Sequence, residues 1–442
     1  MMNIKSRRLA ALLAALLLPF TGWAAEALTL EDSIGIALKN SLTLGVAREG
    51  VKSAESQKRE AATAFLPKLS TSYSYTRLNE EPGFYFQGIP PLVPAGVMNT
   101  GTKNNYNWGI EARQPLFAGG GILAGYQAAK IAEDVARVEE SATYQQVVLE
   151  VKISYFQILR AKRIQETAQQ SVEMLSAHLE TARNFYRVGL IPKNDLLQAE
   201  VELANGKQAL VRAKNAVELA KSRFNTALRR DISEAVDIED ILSYRPIAQS
   251  FEECLMTARR SRPELKISEL KVVQAGKWVR AAQSEYFPAI SVSGNYTRFG
   301  DHPSVSGSDY KDSESWSATA VASWNFWEWG KTKFRVEAGR AKEKQAADSA
   351  KELSDKISLE IKQAYLTLLE DASQIEASQK VIEQASENFR ISEARYREKV
   401  ARSTEVLDAQ TLLTKAGADY ANALGDYHIS YAKLQRAMGI IK

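Results

Sequence analysis

Glu405 and Asp408 stand three residues apart inside "STEVLDAQ", a run with neither glycine nor proline. A helix carries positions i and i+3 on one face, so both carboxylates project the same way. As a lone pair they form a solvated helix face. Repeated around a symmetry axis they would form an acidic ring, and such rings favour cations at a constriction. Other reactive groups are sparse. His178, His302 and His428 are scattered, with no neighbour at metal-ligand spacing, and each reads as a surface or packing histidine. Cys254 is the single cysteine, which excludes an intrachain disulfide and a thiolate metal cage. No glycine-rich phosphate loop occurs. These residues describe no enzyme and call for no cofactor or metal, so energy for any transport would come from partners.

The N-terminus reads as an address. Lys5, Arg7 and Arg8 precede the apolar run "LAALLAALLLPF", and Gly22 and Ala24 occupy positions −3 and −1 of a cleavage site. Residues 1–24 are therefore expected to be a secretory signal peptide. The run is short for a membrane span. No cysteine follows the cut, so no lipid anchor is expected there. Removing the three basic residues of the leader lowers the formal charge from +4 to +1. That balance gives no electrostatic reason to expect a nucleic-acid partner. No later segment approaches 18 continuous apolar residues, so any entry into a membrane must use β-strands.

The elements that would position these groups are written twice. "FLPKLSTSYSYTR" (65–77) is answered by "YFPAISVSGNYTR" (286–298) at an offset of 221, and "LEVKISYFQIL" (149–159) by "LEIKQAYLTLL" (359–369) at 210. The difference of eleven places a longer insertion in the first copy, "EEPGFYFQGIPPLVPAGVMNTG", which reads as a loop. Its counterpart, "GDHPSVSGSDYKDSES", is shorter and polar. The division is a first repeat over 25–229, a linker over 230–250 and a second repeat over 251–442. Each repeat reads helix, strand, loop, strand, very long helix, turn, helix. Neither glycine nor proline interrupts 126–188 or 340–416, where good helix formers dominate. A helix of roughly 65 residues rises about 100 Å. Val148, Val151, Tyr155, Ile158 and Leu159 keep a helical apolar stripe for packing.

The strand pairs, about 68–114 and 289–326, alternate with period two. Leu69, Thr71, Tyr73 and Tyr75 oppose Ser70, Ser72, Ser74 and Thr76; Ile290, Val292 and Tyr296 oppose Ser291, Ser293, Asn295 and Thr297. A water-soluble half-buried sheet alternates in the same way. Export, small hydroxyl-rich polar faces and the cluster Trp316, Trp324, Trp327 and Trp329 favour membrane-spanning strands with an aromatic girdle. Four strands are too few to close a barrel, whose minimum is about eight. Two copies would supply eight strands and three would supply twelve, and the strands alone do not choose.

Pro67 and Pro288 stop a helix and suit the first residue of a strand, while Gly120 and Gly330 mark the return from strand to helix. In "YRVGLIPKND", Gly189 can supply the left-handed residue that ends a helix, with apolar Val188 and Leu190 beside it. The matching "YREKVARSTE" has Lys399 in place of the glycine, which puts a glycine-type turn there in doubt.

The duplication, "QPLFAGGG", "FYRVGLIPKNDLLQAE" and "EVLDAQTLLTKAGADYANAL" together resemble the TolC-type outer membrane efflux proteins, from "LTLEDSIGIALKNSL" to "YHISYAKLQRAMG". The resemblance implies an α+β membrane protein with an internal two-fold repeat, each protomer giving four β-strands to a trimeric twelve-stranded outer membrane barrel. Long coiled-coil helices would form a periplasmic tunnel, with a small mixed equatorial region at its waist. It implies a passive exit duct of a tripartite efflux system, with a homotrimer, outer membrane lipid, a periplasmic adaptor and an inner-membrane transporter as partners. By the same resemblance the tips, Val188, Gly189, Leu190, Lys399 and Val400, are candidates for meeting the adaptor. Glu405 and Asp408 match the acidic entrance constriction, and Asp195 and Tyr396 match positions that hold the entrance shut. The arginine expected with them is displaced: Ala401 stands in its place and Arg402 follows. Type I protein secretion by the same duct is the alternative, and a trimeric coiled-coil surface adhesin is a reading of another class.

Overall fold

The computed structural model describes residues 27–442, and the leader assigned to 1–24 lies outside them. The chain opens with α1 (Leu30–Asn40) and α2 (Leu42–Thr63). Ser41, in extended backbone, separates them and caps the second, its hydroxyl accepting from the Leu44 amide at 3.2 Å. One expected helix is thus two. Past Pro67 the chain extends as β1 (Lys68–Arg77). The insertion that follows was expected to be a loop but folds as a hairpin of β2 (Gly83–Phe86) and β3 (Gly96–Asn99). Aromatic and β-branched residues on either side of a Gly–Pro turn favour that ribbon. Next come β4 (Asn104–Ala118), α3 (Gly121–Arg187) and α4 (Lys193–Leu228).

The second half repeats this order. The linker 230–250 has no helix or regular strand, and α5 (Phe251–Ser261) and α6 (Pro263–Gln283) follow it. Past Pro288 come β5 (Ala289–Gly300), β6 (Glu314–Ser323), α7 (Lys331–Arg397) and α8 (Ser403–Ala437). Thus β6 stops at Ser323, short of the expected end near 326, and Trp324 stands just beyond it. Both long helices, α3 and α7, have 67 residues. Gly120 (φ 85°) and Gly330 (φ 84°) take left-handed backbone at their first caps, the sharp return for which glycine has no steric penalty.

Four strands form one antiparallel sheet in the order β1-β4-β5-β6, so the two halves are joined where β4 pairs β5. The register keeps the expected faces together: Tyr73 lies opposite Trp108, and Ile110 opposite Tyr296. Both outer strands, β1 and β6, keep a free edge. No helix among the described residues is long and apolar enough to cross a membrane.

The sheet stands on helices anchored at mid-height by two cores. In the first, fully buried Tyr155 packs edge-on against Phe156 and Phe224, and its hydroxyl donates to the Glu239 carbonyl at 2.8 Å. The linker contributes Val236 and Ile238 to that core, and Leu242, Tyr244 and Ile247 to the second. It thereby ties the halves together. Cys254 is packed in the second core with its thiol pushed up by burial, a packing residue rather than a nucleophile. Buried Arg262 joins the end of α5 to two long helices, donating to the Ala437 carbonyl at 3.1 Å and to Glu360 at 2.7 Å.

Candidate functional site

The candidate tip, latch and acidic-ring residues lie at the end of the helical body away from the sheet. There α3 turns into α4 and α7 into α8. At the first turn Gly189 has φ 75°; its amide donates to the Tyr186 carbonyl at 2.9 Å, and the Leu190 amide to Phe185 at 2.8 Å. Those two bonds satisfy carbonyls that the helix end leaves unpaired. The second turn corrects the doubt attached to lysine. Lys399 takes the same left-handed backbone, φ 66°, with its amide on Tyr396 and that of Val400 on Arg395, both at 2.9 Å. A left-handed L-residue costs roughly 1–2 kcal/mol, which the paired carbonyls and the packed helices outweigh. The tips are therefore alike in backbone although unlike in sequence, and Val188, Leu190 and Val400 stand exposed on them.

Asp195 and Glu405 are equivalent under the repeat offset of 210, and each lies in the first turn of its helix, where negative charge suits the helix dipole. Glu405 accepts from the Arg402 amide at 3.3 Å and pairs with Arg395 Nη1 at 3.3 Å. Asp408 is exposed on the same face of α8, while Val406, Leu407, Ala409 and Gln410 are buried behind it. Arg402 caps α8, and the ion pair at this turn is Arg395–Glu405. Among the described residues the protomer holds no ion pair between Arg402 and Asp195. Arg395 carries no signal in the residue pattern, because contacts made across a turn follow no helical period.

Tyr396 is buried, its ring 4.9 Å from that of His178 and 5.5 Å from Phe185. Its hydroxyl has no hydrogen-bond partner in the protomer. Burial pushes the phenol up and the charge of nearby Asp195 adds to the shift; Ser403 opposes it. The Ser403 oxygen is already engaged, lying 2.8 Å from His178 Nε2. Seven residues along each helix, Gln410 Nε2 donates to Ser171 Oγ at 2.5 Å, so α3 and α8 meet through a polar seam. His178, read from sequence as a surface or packing histidine, is a buried one within this seam. His428 is stacked on Phe156 with centroids 4.7 Å apart, while His302 is exposed. Among the described residues no three His, Cys, Asp or Glu gather to hold a metal.

A sequence model described as "outer membrane efflux protein" matches residues 33–228 and 255–440, one span in each half. Two curated proteins are similar. The outer membrane efflux protein BepC of Brucella suis is 22% identical over 426 residues, 95% of this chain and 87% of that protein. The outer membrane protein TolC of Escherichia coli is 22% identical over 403 residues, 86% and 76% of the two chains. The CmeC outer membrane channel of Campylobacter jejuni shares the fold with a TM-score of 0.78 at 18% identity, covering 93% of this chain and 85% of its own. VceC of Vibrio cholerae shares it with 0.78 at 17%, covering 93% and 96%.

Two outcomes are expected at the tips. Lys399→Gly relieves the left-handed strain and stabilises the second turn by about 1 kcal/mol, slowing opening-limited exchange of the Val400 amide about five-fold. An unchanged rate would show that the lysine is unstrained. Burial also lowers the affinity of His178 for a proton, against the weaker pull of Glu393. As pH falls below the ordinary histidine value of about 6.5, the opened tip is protonated before the closed one. The closed tip therefore loses stability down to the depressed value and is unaffected above the ordinary one. The opening free energy of tip amides, corrected for intrinsic exchange, should fall over that window and stay flat in His178→Gln.

Proposed function

We propose that this chain, which belongs to the outer membrane efflux protein family, assembles as three copies around one axis. The protein is an outer membrane efflux channel, the exit duct of a tripartite system. One observation carries closure by several copies, a four-stranded sheet with two free edges; the choice of three over two follows the family. Each unpaired backbone group in lipid costs several kcal/mol, so β1 of one copy must find β6 of another. Three sheets of four strands give a closed twelve-stranded wall, with the hydroxyl-rich faces inward. The exposed apolar residues Leu197, Val201 and Leu219 on one side of α4 support a neighbouring helix packed there in the assembly.

In this reading the helices of three protomers enclose a water-filled tunnel that conducts solutes passively. An inner-membrane transporter supplies the energy, and a periplasmic adaptor meets the exposed Val188, Leu190 and Val400. Members of the family are channels, which supports a channel rather than an enzyme. Asp408 and Glu405 from three copies make the acidic ring at the entrance, with Arg395 compensating part of the Glu405 charge. Asp195, Tyr396 and Arg402 are candidates for holding the entrance closed. Because Tyr396 is buried inside its own protomer with its hydroxyl unpaired there, Arg402 is the group left to reach a neighbouring copy.

Planar-bilayer recording tests both assignments. The double variant Glu405→Gln, Asp408→Asn should lose its preference for cations over anions, and a variant that kept it would refute the ring. Arg402→Ala should raise resting conductance several-fold; unchanged closure would remove Arg402 from the latch.

A further inference from the structure

From Pro82 to Thr102 the chain runs 21 residues without a charged side chain. The β2–β3 hairpin lies within this stretch, with Phe84 opposite Met98 and Tyr85 opposite Val97. Alternation then puts Phe84, Phe86 and Met98 on one face and Tyr85 and Val97 on the other. A ribbon exposed to water ordinarily keeps one polar face, whereas here the face of Tyr85 and Val97 carries a single polar amide, Asn99 at the base, which donates to Glu81 at 2.7 Å. Tyr85 is 68% exposed, Val97 68% and Leu92, near the turn, 82%. Within the protomer the two strands pack extensively only on each other. The corresponding turn of the second half carries Asp301, Asp309, Lys311 and Asp312 and is suited to solvent. Continuous apolar surface of a few hundred Å² on an otherwise ordinary exterior marks a contact site.

Two observations say what covers it. The base of the hairpin leans over the polar face of the sheet: Pro82 and Gly101 share a recess of about 360 Å³ with Ser74, Thr76, Asn105 and Asn107. Those four belong to the face proposed to line the lumen, so the hairpin rises on the water side rather than the lipid side. Its reach is also sufficient. From Gly83 to the turn an extended strand spans roughly 23 Å. Twelve strands 4.8 Å apart and tilted by about 40° give a barrel radius of roughly 12 Å. Each hairpin can therefore pass the axis of the barrel.

We propose that the hairpins of three copies pack on one another over the outer mouth of the barrel, forming an apolar lid whose occupant on every face is the same ribbon of a neighbouring chain. The proposal rests on the trimeric reading above. An apolar constriction of this kind closes to ions by dewetting, without charged gates, and opens when the ribbons part.

Leu92→Cys in the full-length chain tests it, because the only native cysteine, Cys254, is fully buried. In oxidised, lipid-reconstituted protein of trimeric native mass, roughly two-thirds of the chains should run as a disulfide-linked pair on a denaturing gel, since three thiols at one axis can form one bond. Tyr310→Cys, on the polar turn, should give no such pair. A trimer without the Leu92→Cys cross-link overturns the lid and leaves the duct intact. Quenching of a fluorophore on the Leu92→Cys variant by brominated lipid would overturn it as well, placing the hairpin in the membrane. A monomeric native mass overturns the duct reading and the lid together.

Discussion

The structure depends on one constraint, that backbone amides and carbonyls in a lipid core must be hydrogen-bonded to something. In water a free strand edge is tolerable, because solvent supplies the missing partner. In hydrocarbon the same edge is prohibitive, so β1 and β6 make the single protomer incomplete as a membrane protein. The architecture of each half follows from meeting that demand with few strands. A short sheet is flanked by helices that need no partner for their backbone, and the Pro67 and Gly120 junctions separate the two regimes within a residue or two.

Below the sheet the controlling interactions change. The two 67-residue helices satisfy their own hydrogen bonds and are held by side chains alone. At the waist the contacts are apolar or well buried, around Tyr155 and Arg262, and the linker binds the two halves there. Toward the tips the α3–α8 seam becomes polar, through Ser171–Gln410 and His178–Ser403. A buried polar contact stabilises one register but contributes little net energy compared with apolar packing. The waist is accordingly the firm part of the helical body, and the tips are the part whose packing is conditional on geometry and protonation.

Much of this was legible in the residues. The period-two alternation set the faces of all four sheet strands. The absence of glycine and proline over 126–188 set α3 closely, whereas the run 340–416 begins inside α7 and passes through the Lys399 turn into α8. Gly120, Gly330, Pro67 and Pro288 stand where punctuation residues should. What escaped was of two kinds. Contacts across a turn or between repeats, such as Arg395–Glu405 and His178–Ser403, depend on three-dimensional register that no single helical period encodes. Conformations paid for by tertiary packing also escaped, and Lys399 is the clearest case. Its residue type argues against left-handed backbone, yet the hydrogen bonds of the helix end impose it. The β2–β3 hairpin was hidden by its own prolines and glycines, which read as loop although the aromatic runs between them pair.

The two ends of the proposed duct follow opposite chemistry, and the duplication explains how one chain can hold both. Each half supplies one tip and one outer turn, so a change made in one half leaves a working counterpart in the other. At the tips the halves have kept the backbone turn and varied the residues on it: Gly189 against Lys399, and Asp195 against Glu405 with its Arg395 partner. At the outer end they have diverged in the element itself, a charged turn in one half and an uncharged ribbon in the other. The reason lies in what each end must bear. Each tip backbone is continuous with one helix on either side and cannot be lengthened without shifting their register. The outer turns are tethered only by sheet ends, so an insertion there disturbs no pairing and can acquire a surface of its own. Asymmetry between the halves therefore accumulates as side chains at the inner end and as whole elements at the outer one.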